Sequence, residues 1–260
     1  MTTCDEKGCA KDICVFLSDY STRLLASGAT CIRLDKNVTR IAGAFGMNVE
    51  MTIMPRHIHL SVIDKDSGDI LTSIATVPDT GVNFTVNTEL SRLSWEIADR
   101  KLNFSESLRK YESIISGTSH NKWLVNALVA VANASFCRLF SGDAAAMAVV
   151  AIATLAGYYM KTQLVSRKVD VRIVFIACSF ISSVIGSSCL LFRFGDTPDI
   201  ALATSILYLV PGIPFLNSFS DMLYGRYLCA FARFADATIL TCCLTIGMCL
   251  ATLLMNVSLF

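Results

Sequence analysis

The chain has 260 residues, of which 53% are hydrophobic and 17% are charged, and its formal net charge is +1. Soluble globular proteins carry about 25% charged residues, so this composition favours a membrane protein. The near-neutral charge, with no basic block, argues against nucleic acid as a partner.

Charge is unevenly distributed along the chain. Residues 1–121 hold 13 Lys and Arg and 15 Asp and Glu, whereas the rest holds 9 and 6, and no Glu follows Glu112. The N-terminus has no apolar run behind a basic stretch, so it is not a secretory signal. The sequence therefore predicts a cytoplasmic domain over residues 1–120 and a membrane domain over residues 121–260.

The N-terminal domain is predicted to be α+β. Apolar residues recur at helical spacing in residues 10–28 and 31–46, and each stretch ends at a glycine. Residues 48–77 alternate with period two and turn at "DKDSGD", which indicates a hairpin. Two further helical stretches follow, over about residues 87–102 and 105–116.

No pattern in this domain indicates an enzyme or a metal site. His57 and His59 lie two apart on a predicted strand, and two ligands alone do not make a metal site. The spacing of Cys4, Cys9 and Cys14 is not that of a zinc motif. No nucleophile motif and no phosphate-binding P-loop occurs. We therefore expect no metal, no cofactor and no catalysis.

Five apolar stretches in the second half are long enough to cross about 30 Å of hydrocarbon. They cover approximately residues 123–141, 144–160, 171–193, 199–220 and 228–258. The sequence thus predicts an all-α membrane domain of five transmembrane helices.

Basic residues set the predicted orientation in the inner (plasma) membrane. The connection 161–172 carries Lys161, Arg167, Lys168 and Arg172, so it is expected in the cytoplasm. The connections 141–143 and 194–199 suit the outside. Five crossings then place the N-terminus in the cytoplasm and the C-terminus on the periplasmic or extracellular side.

Two features interrupt the apolar stretches. Pro211, Gly212 and Pro214 break the fourth stretch, because proline inside a helix costs about 3 kcal/mol. Arg233 and Asp236 lie three apart and so share one helix face in the fifth. Ionisable groups in membrane segments usually line a bundle interior or a pathway.

Three motifs resemble the threonine/serine exporter family. They are "GATCIRLDKNVTRIAGAFGMNV" (28–49), "LFSGDAAAMAV" (139–149) and "LVPGIPFLNSFSDMLYGRYLCAFARFADA" (209–237). The first carries Gly28, Arg33 and Asp35 of the family pattern, with Asp35 where the family often has Glu. Asp236 likewise stands where Glu is common.

The resemblance implies a particular form of this family. Single-chain members have the soluble domain, five helices and about five more, whereas this chain stops after five predicted helices. The split form adds a separate membrane subunit and is similar to two-subunit exporters implicated in succinate efflux. We therefore predict a heteromer with a small four- or five-helix membrane subunit.

The resemblance implies a secondary exporter of small carboxylated metabolites, either threonine and serine or a succinate-type dicarboxylate, that works by alternating access. The predicted pathway comprises backbone opened at Pro211, Gly212 and Pro214, hydrogen bonds from Asn217 and Ser218, and charges at Asp221, Arg233 and Asp236. Arg233 is the candidate partner of the substrate carboxylate. The alternatives are a membrane-anchored cytoplasmic sensor without transport activity and a membrane-bound hydrolase.

Overall fold

The structure is a computed structural model that describes residues 9–65, 67–79, 81–99, 102–117, 121–192 and 195–256. The chain forms two compact units. The first comprises the described residues up to 117 together with Ile213–Ala235, and the second comprises those from 121 to Gly212 together with those from Asp236 onwards.

The described residues before 120 form four helices: α1 (Ala10–Ala26), α2 (Cys31–Ala44), α3 (Phe84–Ala98) and α4 (Phe104–Ser116). Polar side chains begin three of them. Thr30 caps α2, Asn83 caps α3, and Asn103 forms a reciprocal capping box with Glu106 at the start of α4. These caps satisfy backbone N–H groups that have no partner within the helix.

Three antiparallel strands form the sheet of the first unit: β1 (Met47–Ile53), β2 (His57–Asp64) and β3 (Ile70–Thr76), in the order β1-β2-β3. Alternate residues of β2 are buried, with Ile58 and Leu60 on the inner face. Since strand side chains alternate between faces, His57 and His59 share the outer face.

The core of the first unit is built from α1 to α4 and the inner face of the sheet. Tyr20 of α1 is completely buried there, and its hydroxyl donates a hydrogen bond of 2.8 Å to the Leu90 carbonyl of α3. Phe16 and Tyr111 pack edge to face beside it, with ring centroids 5.5 Å apart. This core also includes Cys229 from the chain's C-terminal part.

The second unit is helical. It contains α5 (Lys122–Leu139), α6 (Ala144–Ser166), α7 (Val171–Phe192), α8 (Pro198–Ser205) and a 3-10 turn at Leu207–Leu209. Two helices follow in the chain, α9 (Gly212–Leu223) and α10 (Tyr227–Leu254). The part of α9 after Gly212 and the start of α10 belong to the first unit, and the rest of α10 belongs to the second.

The predicted fold class was wrong. The described chain is mostly helical, and its strands form one small sheet within residues 47–76, so "α+β domain plus five spans" does not describe it. Within the described residues, three helices are long and apolar enough to cross a membrane: α6, α7 and α10. A fourth crossing arises at most, if Pro198–Leu209 and Gly212–Leu223 form one broken span.

Composition explains the missing spans. The first predicted span corresponds to α5, whose Lys122, Asn126, Asn133 and Arg138 lower its hydropathy. The fourth corresponds to short helices separated at Val210 and Pro211, where Pro211 cannot donate a backbone hydrogen bond. Residues 193 and 257–258 of the predicted spans, and Cys4, lie outside the described residues. The division at residue 120 stays a prediction, and in the structure residues 213–235 pack with the N-terminal part.

Replacing Tyr20 by Phe tests this core. The ring is kept, but the hydrogen bond to Leu90 is lost, so we expect the free energy of unfolding to fall by about 1 kcal/mol. Urea unfolding followed by circular dichroism measures it. Tyr224→Phe is the matched control, because Tyr224 is 58% exposed. An equal loss in both variants would contradict the prediction.

Candidate functional site: a buried carboxylate at the start of α2

The start of α2 presents backbone N–H donors that have no carbonyl partner within the helix. Gly28 has φ +92°, a left-handed conformation that turns the chain after α1, and Thr30 caps the helix that Cys31 begins. The first N–H groups of a helix have no carbonyl partner within it and carry the positive end of its dipole. This end of α2 therefore favours a negatively charged group.

The carboxylate of Asp221, from α9, occupies that position. Its Oδ1 accepts a hydrogen bond of 2.8 Å from the backbone N–H of Cys31, and its Oδ2 accepts one of 3.4 Å from the Cys31 thiol. Asp221 is fully buried. Burying a carboxylate costs several kcal/mol unless donors and an opposite charge compensate, so its surroundings must supply both.

Arg233, from α10, supplies the opposite charge. Its Nη1 lies 3.0 Å from Asp221 Oδ2, and its Nη2 donates a 2.9 Å hydrogen bond to the Ala29 carbonyl. The Arg233 side chain is 20% exposed. Nη1 is buried and makes no well-directed hydrogen bond to any described residue, despite its ion pair. The guanidinium therefore retains donor capacity for a further oxygen.

Two polar side chains fasten α9 around this ion pair. Asn217 donates a 2.9 Å hydrogen bond to the Gly28 carbonyl, and Ser218 donates a 2.7 Å hydrogen bond to the Ala230 carbonyl. Asn217 therefore holds α9 against the turn before α2, and Ser218 holds α9 against α10.

Two cysteines complete the inner layer of the site. Cys31 is completely buried, and Cys229 donates a 3.3 Å hydrogen bond to the Ile53 carbonyl at the end of β1. The neighbouring Cys229 thiol, burial and the Asp221 charge raise the pKa of the Cys31 thiol above its ordinary value. Cys31 therefore stays protonated and acts as a donor to Asp221.

The structure brings five of the predicted residues together: Gly28, Asn217, Ser218, Asp221 and Arg233. These come from the first and third sequence motifs, whose residues lie about 190 positions apart. The sequence analysis did not predict that these two motifs meet, and it missed the Cys31 N–H, Cys229 and the Ala29 carbonyl. Helix periodicity gives no signal for such a long-range contact.

Other predicted residues lie apart from the ion pair. Arg33 donates a 2.8 Å hydrogen bond to Asn87, and Asp35 lies 3.7 Å from Arg226. Asp236, expected beside Arg233, is exposed, and no cation of the described residues lies within ion-pair distance of it.

The prolines lie at the start of the segment that carries the site. Pro211 and Gly212 stand where α9 begins, and Pro214 occupies its first turn, where a missing N–H breaks no helical hydrogen bond. The interruption therefore separates α8 from α9 without disturbing the helix that holds Asp221.

A second polar cluster lies inside the second unit. Asn133 of α5 donates 2.7 Å and 3.1 Å hydrogen bonds to the Thr154 hydroxyl and the Thr204 carbonyl. Ser183 and Ser187 of α7 are completely buried, one turn apart, and their hydroxyls have no partner among the described residues. A buried hydroxyl without a hydrogen-bond partner costs free energy, so the space beside Ser183 and Ser187 is suited to water or a polar solute.

The middle motif has a structural role. Asp143 caps α6 by accepting a 2.8 Å hydrogen bond from the Ala146 N–H, and it accepts another of 2.9 Å from the Asp196 N–H. These backbone donors lower the pKa of the Asp143 carboxyl below its ordinary value. One carboxylate thus ties the start of α6 to the connection before α8.

Removing the arginine tests the ion pair. In Arg233→Ala the buried Asp221 carboxylate loses its counter-charge, so we expect the free energy of unfolding to fall by roughly 3–5 kcal/mol. The control is Arg226→Ala, because Arg226 and Asp35 are 39% and 38% exposed and 3.7 Å apart, and such pairs contribute less than about 1 kcal/mol. Urea titration in detergent measures both. An equal decrease in the free energy of unfolding in both variants would show that the buried ion pair stabilises the protein no more than the exposed one.

Comparisons with known proteins agree with the motifs. The family described as "Putative threonine/serine exporter" matches residues 16–255. A protein named "Probable succinate transporter subunit YjjP" from Klebsiella aerogenes is 34% identical over 230 residues, covering 88% of each chain. A protein of the same name from Escherichia coli strain K12 is 33% identical over 230 residues, covering 88% of this chain and 89% of that one. No solved structure matches the chain. The chain belongs to the threonine/serine exporter family.

Proposed function

We propose that this chain is the membrane subunit of a secondary exporter of small carboxylated metabolites, either threonine and serine or a succinate-type dicarboxylate. The observation that carries the proposal is the set of donors around Asp221: the Cys31 N–H at the start of α2 and the Arg233 guanidinium. Both are groups that bind carboxylates in proteins.

In this proposal Asp221 holds the position that a substrate carboxylate takes during transport. A substrate carboxylate offers the same two oxygens to the same donors, so it can replace Asp221 without leaving the guanidinium unpaired. Because a buried guanidinium without a carboxylate partner is costly, Arg233 binds one carboxylate at a time, either Asp221 or the substrate. Arg233 is then the substrate partner, and Asp221 is the group that substrate displaces.

We propose that this exchange is coupled to alternating access. The backbone between α8 and α9 is the proposed hinge, because Pro211 and Gly212 separate two short helices there. Broken helices are a recurring feature of secondary transporters. Asn217 and Ser218 keep α9 in register with α2 and α10 while the carboxylates exchange, and Asp236 is the outlying charge of the proposed pathway.

The proposal includes a partner and excludes catalysis. The relatives are named as subunits of a succinate transporter, which supports assembly with a second chain. We propose that this chain works with a small membrane subunit of four or five helices. The site holds a carboxylate between fixed donors, and its role is binding and release without a bond-making step or a cofactor.

Counterflow in proteoliposomes tests the function. With both subunits present, we expect labelled succinate or labelled threonine to exchange, and the faster substrate identifies the class. Arg233→Lys keeps the charge that balances Asp221 but loses the planar fork, so exchange should fall by about tenfold or more.

His57→Ala is the matched control, because His57 is exposed on β2 and should leave exchange unchanged. Exchange retained in Arg233→Lys but lost in His57→Ala would overturn the proposed site. Full exchange by this chain without a second subunit would overturn the partnership while leaving the site intact.

We propose the inner (plasma) membrane as the location, with the connection between α6 and α7 in the cytoplasm. That connection carries Arg167 and Lys168, Arg172 follows in the first turn of α7, and basic connections face the cytoplasm. A fluorescent protein fused after Lys168 should fluoresce, whereas alkaline phosphatase fused there should be inactive. Phosphatase activity at this position would reverse the orientation. Because α5 is not among the candidate spans, the side of this connection does not fix the side of either terminus, and fusions at each end locate the two termini.

A further inference from the structure

The outer face of α9 and of the first turns of α10 is apolar. In residues 213–235, every exposed residue other than Gly225 has an apolar or aromatic side chain. The largest exposed fractions belong to the following side chains: Leu216 71%, Phe219 62%, Leu223 69%, Tyr227 69%, Leu228 62% and Phe231 73%. We call residues 213–235 the hairpin and these six side chains its outer face.

The charges of the hairpin all turn away from this outer face. Asp221 is buried, Arg233 pairs with it, and Arg226 is half-buried beside Asp35. An outer face without a charge or a hydrogen-bonding amide cannot be explained by solvation in water. The Tyr227 hydroxyl is the one hydrogen-bonding side-chain group among the six, whereas a typical protein interface makes about one hydrogen bond per 100–200 Å².

The outer face continues into a membrane span. In α10, the exposed Leu228 and Phe231 lie in line with the partly exposed Ala235 and the exposed Cys242, because these positions recur at intervals of three, four and seven residues. Residues 237–254 contain no charged residue and rise about 27 Å, close to the hydrocarbon thickness. The exposed stripe of the hairpin therefore continues along the same helix into a candidate membrane span.

Length places this extension within the bilayer's outer layer. The 28 residues of α10 rise about 42 Å, which matches a bilayer that includes its headgroup layers at about 40–45 Å. The first turns of α10 then lie at headgroup level. Tyr224 and Tyr227 stand at the tip of the hairpin, and tyrosine is enriched at that level.

We propose that the hairpin lies in the interfacial layer of the lipid bilayer, with its outer face toward the acyl chains. The first unit is then held at the membrane by its own surface, whereas the sequence predicted a cytoplasmic domain over residues 1–120 and two spans over residues 199–220 and 228–258. This inference does not depend on the transported substrate or on a second subunit.

Lipid quenching of tryptophan fluorescence tests the proposal on the full chain. Phe219→Trp and Phe231→Trp are introduced separately with Trp95 and Trp123 replaced by Phe, and each protein is reconstituted alone into phosphatidylcholine vesicles. We expect brominated lipid to remove most of the emission and iodide to remove little. Phe84→Trp is the matched control, because Phe84 is 58% exposed in the same unit. It should respond to iodide and not to brominated lipid.

Three other results would overturn the proposal. Quenching by iodide at positions 219 and 231, as at 84, would place the outer face in water, where it would be available to a partner protein. Shielding from both quenchers that disappears when the protein is diluted in lipid would show that a second copy covers the face. Shielding that dilution does not change would show that the chain's own residues cover it. Equal melting temperatures establish that the tryptophan variants are folded.

Discussion

The carboxylate of Asp221 has to be paired, and the surrounding elements are arranged to pair it. Each ion removed from water costs several kcal/mol, so a fully buried carboxylate persists only where donors and a counter-charge meet it. The Cys31 N–H supplies the first donor and the Arg233 guanidinium supplies the charge. One contact thus links α9, α10 and the start of α2, three elements that are far apart in the chain.

This pairing also explains why neighbouring groups are fixed to backbone. Asn217 bonds to the Gly28 carbonyl, and Arg233 bonds to the Ala29 carbonyl, so the turn before α2 is held from two sides. The position of Gly28 is constrained as well: its φ is +92°, and a Cβ there would lie 2.9 Å from a methyl group of Val82. A small shift of this turn would move the Cys31 N–H away from Asp221, so the turn's rigidity is part of the site.

Local patterns predicted local structure. The alternation in residues 48–77 located the strands around Ile58 and Leu60, and the glycines at 28 and 46 follow the ends of α1 and α2. The fold class failed because hydropathy was applied to segments that pack on protein. Residues 213–220 are apolar enough to resemble the end of a span, but their polar face, with Asn217 and Ser218, bonds to the turn before α2 and to α10.

The candidate site could be predicted only in part, for a related reason. Arg233 was paired in the sequence analysis with Asp236, three residues away, because helix geometry makes that neighbour predictable. Its partner in the structure is Asp221, which lies on another helix. Sequence spacing cannot show that a tertiary partner is preferred to a local one. Burial in the folded structure does show it. Asp236 is exposed and can be solvated, whereas Asp221 is buried and needs the arginine.

The hairpin joins two environments through opposite faces of the same helices. Its inner face holds the carboxylate and the arginine against α2, where their charges are compensated by short, directed contacts. Its outer face carries large apolar side chains that water does not solvate well. If the ion pair were lost, the charges of Asp221 and Arg233 would have to be hydrated instead. A rotation of α9 that exposed Asp221 to water would bury no other group to compensate. The ion pair and the apolar face therefore both oppose rotation of α9 about its axis. With α9 held in this way, the donors at the start of α2 face a carboxylate.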